Sequence, residues 1–212
     1  MKTLRLTTLA VLVAAVSIAP LQAADETVLI AAVAEDGVTL YAKAMACDEL
    51  GKIGTAKAVP ALSKLLADER LNDYARDALE RINDPAAGEA LLDGLSWLKG
   101  SLRIGVIISL GDRGDAAAVP ALAEIAKKKG EDENAAAAAL NSLAQIANED
   151  ANKAILSVLA DGDQVAKTAA AHAALAAAQR LEKAGKKKPA AKLRSAAQAA
   201  GVPAPVKKVA KR

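Results

Sequence analysis

The sequence predicts an all-helical chain folded as an α-solenoid, a superhelical stack of antiparallel helix pairs. Two observations carry this. Of 212 residues only Tyr41, Tyr74 and Trp97 are aromatic, there is no Phe, and alanine dominates an apolar fraction of 53%. Alanine is the best helix former, whereas a β-sandwich needs alternating β-branched and aromatic residues. The second observation is self-repetition. "GTAKAVPALSKLLAD" from Gly54 returns as "GDAAAVPALAEIAKK" from Gly114, sixty positions on.

Sixty residues exceed one helical hairpin, and fainter copies fill the pattern. "LERINDPAAGEALLDGL" from Leu79 aligns with "LGKIGTAKAVPALSKLL" from Leu50 at an offset of 29. "LAQIANEDANKAILSVL" from Leu143 aligns with "LGDRGDAAAVPALAEIA" from Leu110 at an offset of 33. A period near 30 is the mark of a solenoid, in which no unit covers its own apolar face and neighbours must stack. Leu62, Leu91, Leu122 and Ile155 share one register position, and Val59 and Val119 precede it by three residues. With Leu65 or Ile125 they form the i, i+3, i+6 seam of an amphipathic helix.

Each predicted element follows from this seam and the breaks around it. Helices are expected over 25–34, 38–52, 56–67, 71–82, 85–97, 100–112, 116–129, 133–147, 150–160 and 163–184. "EDG", "GTA", "ADER", "NDP", "LKG", "DRGD", "KGED", "NED" and "ADGD" supply the turns between them. Gly54 and Gly114 are expected to end helices in the left-handed conformation. Asp84, Asp115, Glu149 or Asp150, and Asp163 are expected as N-terminal caps, and Pro60, Pro85 and Pro120 fall near helix starts.

Two segments stand apart. "MKTLRLTTLAVLVAAVSIAPLQA" has Lys2 and Arg5 before an apolar run and then Pro20 and small residues, the pattern of a secretory signal peptide. Cleavage is expected after Ala23, since the run is short of a membrane span, and the protein is then exported, periplasmic or secreted. Charge is also divided. Residues 24–179 hold 15 basic and 24 acidic residues, net −9, while 180–212 hold 11 basic residues and one acid, net +10. The domain reading is therefore a signal at 1–23, a solenoid of about five helix pairs over 24–184, and a basic Lys/Ala/Pro-rich tail over 185–212. Residues 189–200 within that tail suit one short capping helix.

Candidate sites are few. Two residues beyond the buried register position stand Lys64, Asp93, Glu124 and Ser157, a row for partner contact on the second helices. Its mixed signs argue against a polyanion, which a uniformly basic groove would track. Lys186, Lys187, Lys188, Lys192, Arg194, Lys207, Lys208, Lys211 and Arg212 are candidates for an anionic lipid or polysaccharide surface; solubilisation alone would also explain them. Trp97 is expected in the core, with an exposed partner anchor as the alternative. Cys47 is expected to be a buried small hydrophobe. His172, the single histidine, has no second ligand or triad partner in sequence reach. No P-loop, dinucleotide fingerprint, zinc spacing or nucleophile elbow is present. Neither catalytic residues, cofactor nor metal is expected.

The repeated segments resemble HEAT repeats of the short bacterial type, the class also called PBS-lyase-like. "ELGKIGTAKAVPALSKLLAD" and "SLGDRGDAAAVPALAEIA" carry the resemblance, which covers about residues 38–160. It implies an armadillo-like superhelix whose second helices line a concave surface, and a non-enzymatic scaffold binding another protein. A few relatives attach or isomerise bilin chromophores, so a lyase-like activity is a weaker alternative. The family's inter-repeat arginine is matched by Arg103 and, as lysine, by Lys43. Asn72 and Ala136 stand at the other equivalent places, so no continuous ladder is implied.

Overall fold

The computed structural model describes residues 25–128 and 130–200. The expected signal at 1–23 and the basic residues Lys207, Lys208, Lys211 and Arg212 lie outside the described residues. The described chain forms eleven α-helices and no strand: α1 (Glu26–Ala34), α2 (Leu40–Ile53), α3 (Val59–Leu65), α4 (Asn72–Arg81), α5 (Pro85–Trp97), α6 (Gly100–Arg113), α7 (Val119–Lys127), α8 (Glu133–Ile146), α9 (Glu149–Asp161), α10 (Gln164–Lys183) and α11 (Lys187–Ala199). Consecutive helices pack as neighbouring pairs. The even-numbered helices also pack in series, α2 on α4, α4 on α6, α6 on α8 and α8 on α10, and most odd-numbered helices do likewise. Two helical layers result, the α-solenoid that the repeat requires.

The repeat register is the register of burial. Leu50, Leu79, Leu110 and Leu143 in the even layer, and Leu62, Leu91, Leu122 and Ile155 in the odd layer, are all 0% exposed. One aliphatic core runs the length of the stack, from Val33 to Ala197. Small residues set the spacing of the even helices. A Cβ on Gly111 would stand 2.6 Å from the Cβ of Ser142 and 2.7 Å from its Cα. That closeness lets the Ser142 hydroxyl donate to the Ile107 carbonyl at 2.8 Å, so this buried polar group is satisfied between two repeats.

The helix ends follow local chemistry, with corrections to the sequence reading. Gly114 is left-handed at φ 72° as expected, but Gly54 is extended at φ −66°. Gly54 is required for a different reason: a Cβ there would collide with the Leu50 carbonyl oxygen. Asp84 and Asp163 cap α5 and α10, accepting from Ala86 N–H and Ala166 N–H, both at 2.9 Å. α9 is instead capped by Asn148, which accepts from Ala151 N–H at 2.8 Å, while Glu149 and Asp150 occupy its first turn. Asp115 caps nothing and receives Arg113 Nε at 2.7 Å. A single 3-10 turn, Ala116–Ala118, shortens the helix expected over 116–129.

Arginines staple the repeats. Arg113, with a side chain only 8% exposed, donates through Nη1 to the carbonyls of Leu79 (2.5 Å), Glu80 (3.2 Å) and Ile82 (2.8 Å), and through Nη2 to Asp84 (3.2 Å). The Leu79 and Glu80 carbonyls lie in the last turn of α4, where acceptors lack intrahelical partners and the dipole favours a cation; those of Ile82 and Asp84, in the turn after it, also accept from Asp84 N–H and Ala87 N–H. Gly88 leaves room for this assembly, since a Cβ there would collide with Asp115 Oδ2. Arg76 donates to Ser109 Oγ at 3.0 Å and to the Gly105 carbonyl at 3.3 Å on α6. Arg81 reaches back from α4 to Asp48 on α2 at 3.0 Å.

Candidate interaction surface

The odd helices α3, α5, α7 and α9 each project one member of the predicted row. Lys64, Asp93 and Glu124 are exposed and Ser157 is half-buried. Each points away from a fully buried neighbour two positions earlier, because residues two apart on a helix lie on nearly opposite faces. α3 packs on α5 and α7 on α9, which brings the helices of the row together two by two.

Trp97 is not in the core. It is 43% exposed, and its indole Nε1 donates to Asp93 Oδ2 at 3.4 Å, tying the aromatic ring to the row. Tyr41 and Tyr74 are exposed too, at 76% and 49%. All three aromatic side chains of the chain therefore face solvent, while the core is filled by Leu, Ile, Val and Ala. Their placement is common as well. Tyr41 and Tyr74 stand in the first turns of α2 and α4, and Trp97 is the last residue of α5. Chain direction puts even-helix starts and odd-helix ends on one long edge of the stack.

That edge continues into two cavities. One, of about 360 Å³, is lined by Leu95, Leu98, Arg103, Ile104 and Glu131 among others. Arg103 donates to the Leu95 carbonyl at 3.2 Å and to Glu131 Oε1 at 2.9 Å. Burial alone would raise the Glu131 carboxyl, but the Arg103 hydrogen bond, the Asp132 N–H and the charges of Arg103 and Lys128 together hold it below the usual range. The second cavity, of about 700 Å³, is lined by the apolar Leu140 and Val158 and by charges of both signs, Lys127 and Lys128 with Glu133, Asp161 and Asp163.

The remaining candidates separate. Lys186, Lys187, Lys188 and Lys192 are exposed on or beside α11. Arg194 is half-buried, with Nε and Nη2 each 2.7 Å from the Glu182 carboxylate. Its charge is engaged within the fold, and that pairing lowers the Glu182 carboxyl and raises the guanidinium. α11 packs on α10 and α9 through Ala190, Leu193 and Ala197. His172 is an exposed side chain on α10. Among the described residues no three His, Cys, Asp or Glu gather as a metal-ligand group, and no helix is long and apolar enough to cross a membrane.

Cys47 is fully buried in α2, as the sequence reading expected. Burial pushes its thiol up to about 11, against a small opposing effect of Lys43. In the native protein at pH 8, alkylation of Cys47 is expected to run more than about a hundredfold slower than in denaturant, because the nucleophilic thiolate is scarce and inaccessible. Mass spectrometry of timed iodoacetamide reactions reads this directly. Equal rates in the two states would place the thiol at the surface.

Residues 89–175 match the family model for HEAT repeats. The matched stretch runs from α5 into α10 and holds the Gly111–Ser142 contact. The preceding helices, including the copy of the motif at 50–66, lie outside it and share its packing. HEAT repeats commonly mediate protein–protein interaction and are generally non-enzymatic scaffolds. No curated protein shows significant similarity to the chain.

Proposed function

We propose that this HEAT-type solenoid is an exported, non-enzymatic scaffold that holds another protein along the edge carrying Tyr41, Tyr74 and Trp97. One observation carries the reading: the chain's three aromatics are all spent on solvent and all on one edge. Large aromatics in water are unfavourable to the monomer, yet they are the side chains that anchor partners most strongly. The adjoining cavities offer recesses for a partner's side chains, and Lys64, Asp93, Glu124 and Ser157 supply the polar contacts. Export, with cleavage after Ala23, is part of the proposal. The resemblance to the PBS-lyase-like subtype supports the repeat architecture; for bilin attachment through Cys47 the buried thiol is unfavourable.

The test uses the exported protein with a photo-crosslinking residue at Tyr74 or Trp97, in its producing cells. Discrete adducts at these two positions, and none at exposed Glu89 within α5, are expected. Substituting the free aromatic of the pair by Ala should reduce adduct yield about tenfold or more, the loss of one anchor being worth ~1.4 kcal/mol or above. Adducts that do not depend on the aromatics would refute the edge as the binding surface.

A second reading rests on the exposed lysines Lys186, Lys187, Lys188 and Lys192: attachment to an anionic envelope surface. A chain ending at Ala200 keeps α11 and its packing, whereas one ending at Gly185 would uncover Leu181 and the α10 core. Binding of the Ala200-terminated protein to anionic vesicles, lost with Lys188→Glu and Lys192→Glu, would favour this reading.

A further inference from the structure

The two ends of the stack are unlike. At the C-terminal end α11 buries Ala190, Leu193 and Ala197 and turns Lys188, Lys192 and Ser195 outward, the polar outer face that a terminal repeat needs. Among the described residues the N-terminal end has no such face. α1 reads ETVLIAAVA, apolar all round after its first two residues, yet only Val33 is fully buried. Such a helix belongs in an interior. Val28 is 59% exposed, and α2, which packs on α1, exposes Leu40 and Met45. The surrounding charge is acidic: residues 24–39 contain Asp25, Glu26, Glu35 and Asp36 and no basic residue, net −4.

We propose that this end docks on the C-terminal end of a second copy, α1 and α2 against α10 and α11, so that both helical layers continue from one chain into the next. Charge complementarity selects this occupant. A head-to-head pair would set the acidic rim against itself, whereas the opposite end of the molecule presents Lys186, Lys187, Lys188 and Lys192. The chain's own residues 201–212 leave from that far end. Twelve residues span at most roughly 40 Å, short of the five helix spacings of roughly 9 Å each that separate α11 from α1 along the odd layer. The contact is heterologous, the same two different patches meeting each time; it borders Tyr41 at the start of α2 but involves neither α4 with Tyr74 nor α5 with Trp97.

Heterologous contacts have a signature in mixing experiments. The full chain would be produced through export, its N-terminus read by mass spectrometry, and its mass followed by sedimentation over a concentration series. The expected result is a mass that rises beyond one chain and falls back when salt goes from about 0.05 to about 0.5 M, as screening weakens the charged rim. Val28→Glu with Met45→Glu, and separately Lys188→Glu with Lys192→Glu, should each weaken self-association about tenfold or more. Mixing the two double variants should restore association and stop it at the dimer, since each retains one intact end. Trp97→Ala should leave it unchanged. Circular dichroism checks that each variant is folded, and the salt response needs no variant. Three results would overturn the proposal: a Lys188/Lys192 variant that associates like the parent, association indifferent to salt, or a monomer at every concentration with residues 1–23 either removed or retained.

Discussion

Gly111→Ala is expected to cost about 3 kcal/mol, and Gly111→Val to prevent folding. Overpacking a filled core typically costs 1–3 kcal/mol, and more where the colliding atoms are backbone. Here the added carbon would meet both the Cβ and the Cα of Ser142, so no side-chain rotation relieves it. α6 and α8 must separate. Separation breaks the Ser142–Ile107 hydrogen bond and opens the seam beside Leu110 and Leu143. Neighbour packing is the main source of stability in a stacked array, so the damage spreads to both adjoining pairs. Urea unfolding followed by circular dichroism measures it. A Gly111→Ala protein within about 0.5 kcal/mol of the parent would show that the helices are not this close.

Arg113→Ala is expected to cost about 3–5 kcal/mol, the range for removing one partner from a buried charged network. Its guanidinium satisfies the end of α4, holds the turn into α5 through the Ile82 and Asp84 carbonyls, and pairs with Asp115. Without it the Leu79 and Glu80 carbonyls are left poorly solvated and the Asp115 carboxylate loses its partner, while Ile82 and Asp84 keep one backbone hydrogen bond each. Arg113→Lys should recover little, because an ammonium cannot reproduce a planar fork reaching four carbonyls and a carboxylate. Asp115→Ala should be milder, since that carboxylate is one-third exposed and is one of five acceptors. The order Arg113→Ala, then Arg113→Lys, then Asp115→Ala in a denaturation series checks the assignment.

Much of the architecture was legible because a solenoid writes its core periodically. Leu50, Leu79, Leu110 and Leu143 recur in the sequence for the reason that they are fully buried in the stack: each fills the same hole against its neighbour. The glycine after the first and third of these leucines is equally readable, since Gly51 and Gly111 lie where the next even helix approaches. Legibility fails where one residue type serves several purposes. Gly54 and Gly114 stand at equivalent positions, but one clears a carbonyl and the other adopts positive φ, and sequence does not separate these uses. Arg113 looks like a polar turn residue in "GDRGD"; its role depends on carbonyls 29 to 34 residues earlier, which only packing brings near.

The aromatic edge was readable in principle and was hidden by a general expectation. Trp97 follows an apolar stretch, and large aromatics are mostly buried, which points the sequence reading to the core. The helix map nevertheless placed Tyr41 and Tyr74 at the starts of two even helices and Trp97 at the end of an odd one. Those positions share an edge by topology alone. What the map could not supply was the exposure, which follows from a core whose volume is already filled by aliphatic side chains.

Trp97 is the single tryptophan, so its fluorescence reports on this edge without interference. The account predicts emission shifted towards that of free indole and ready quenching by iodide in the isolated protein, with both effects suppressed once the crosslinked partner is added. Blue-shifted emission that iodide does not touch in the isolated protein would place Trp97 inside the stack and contradict the binding edge.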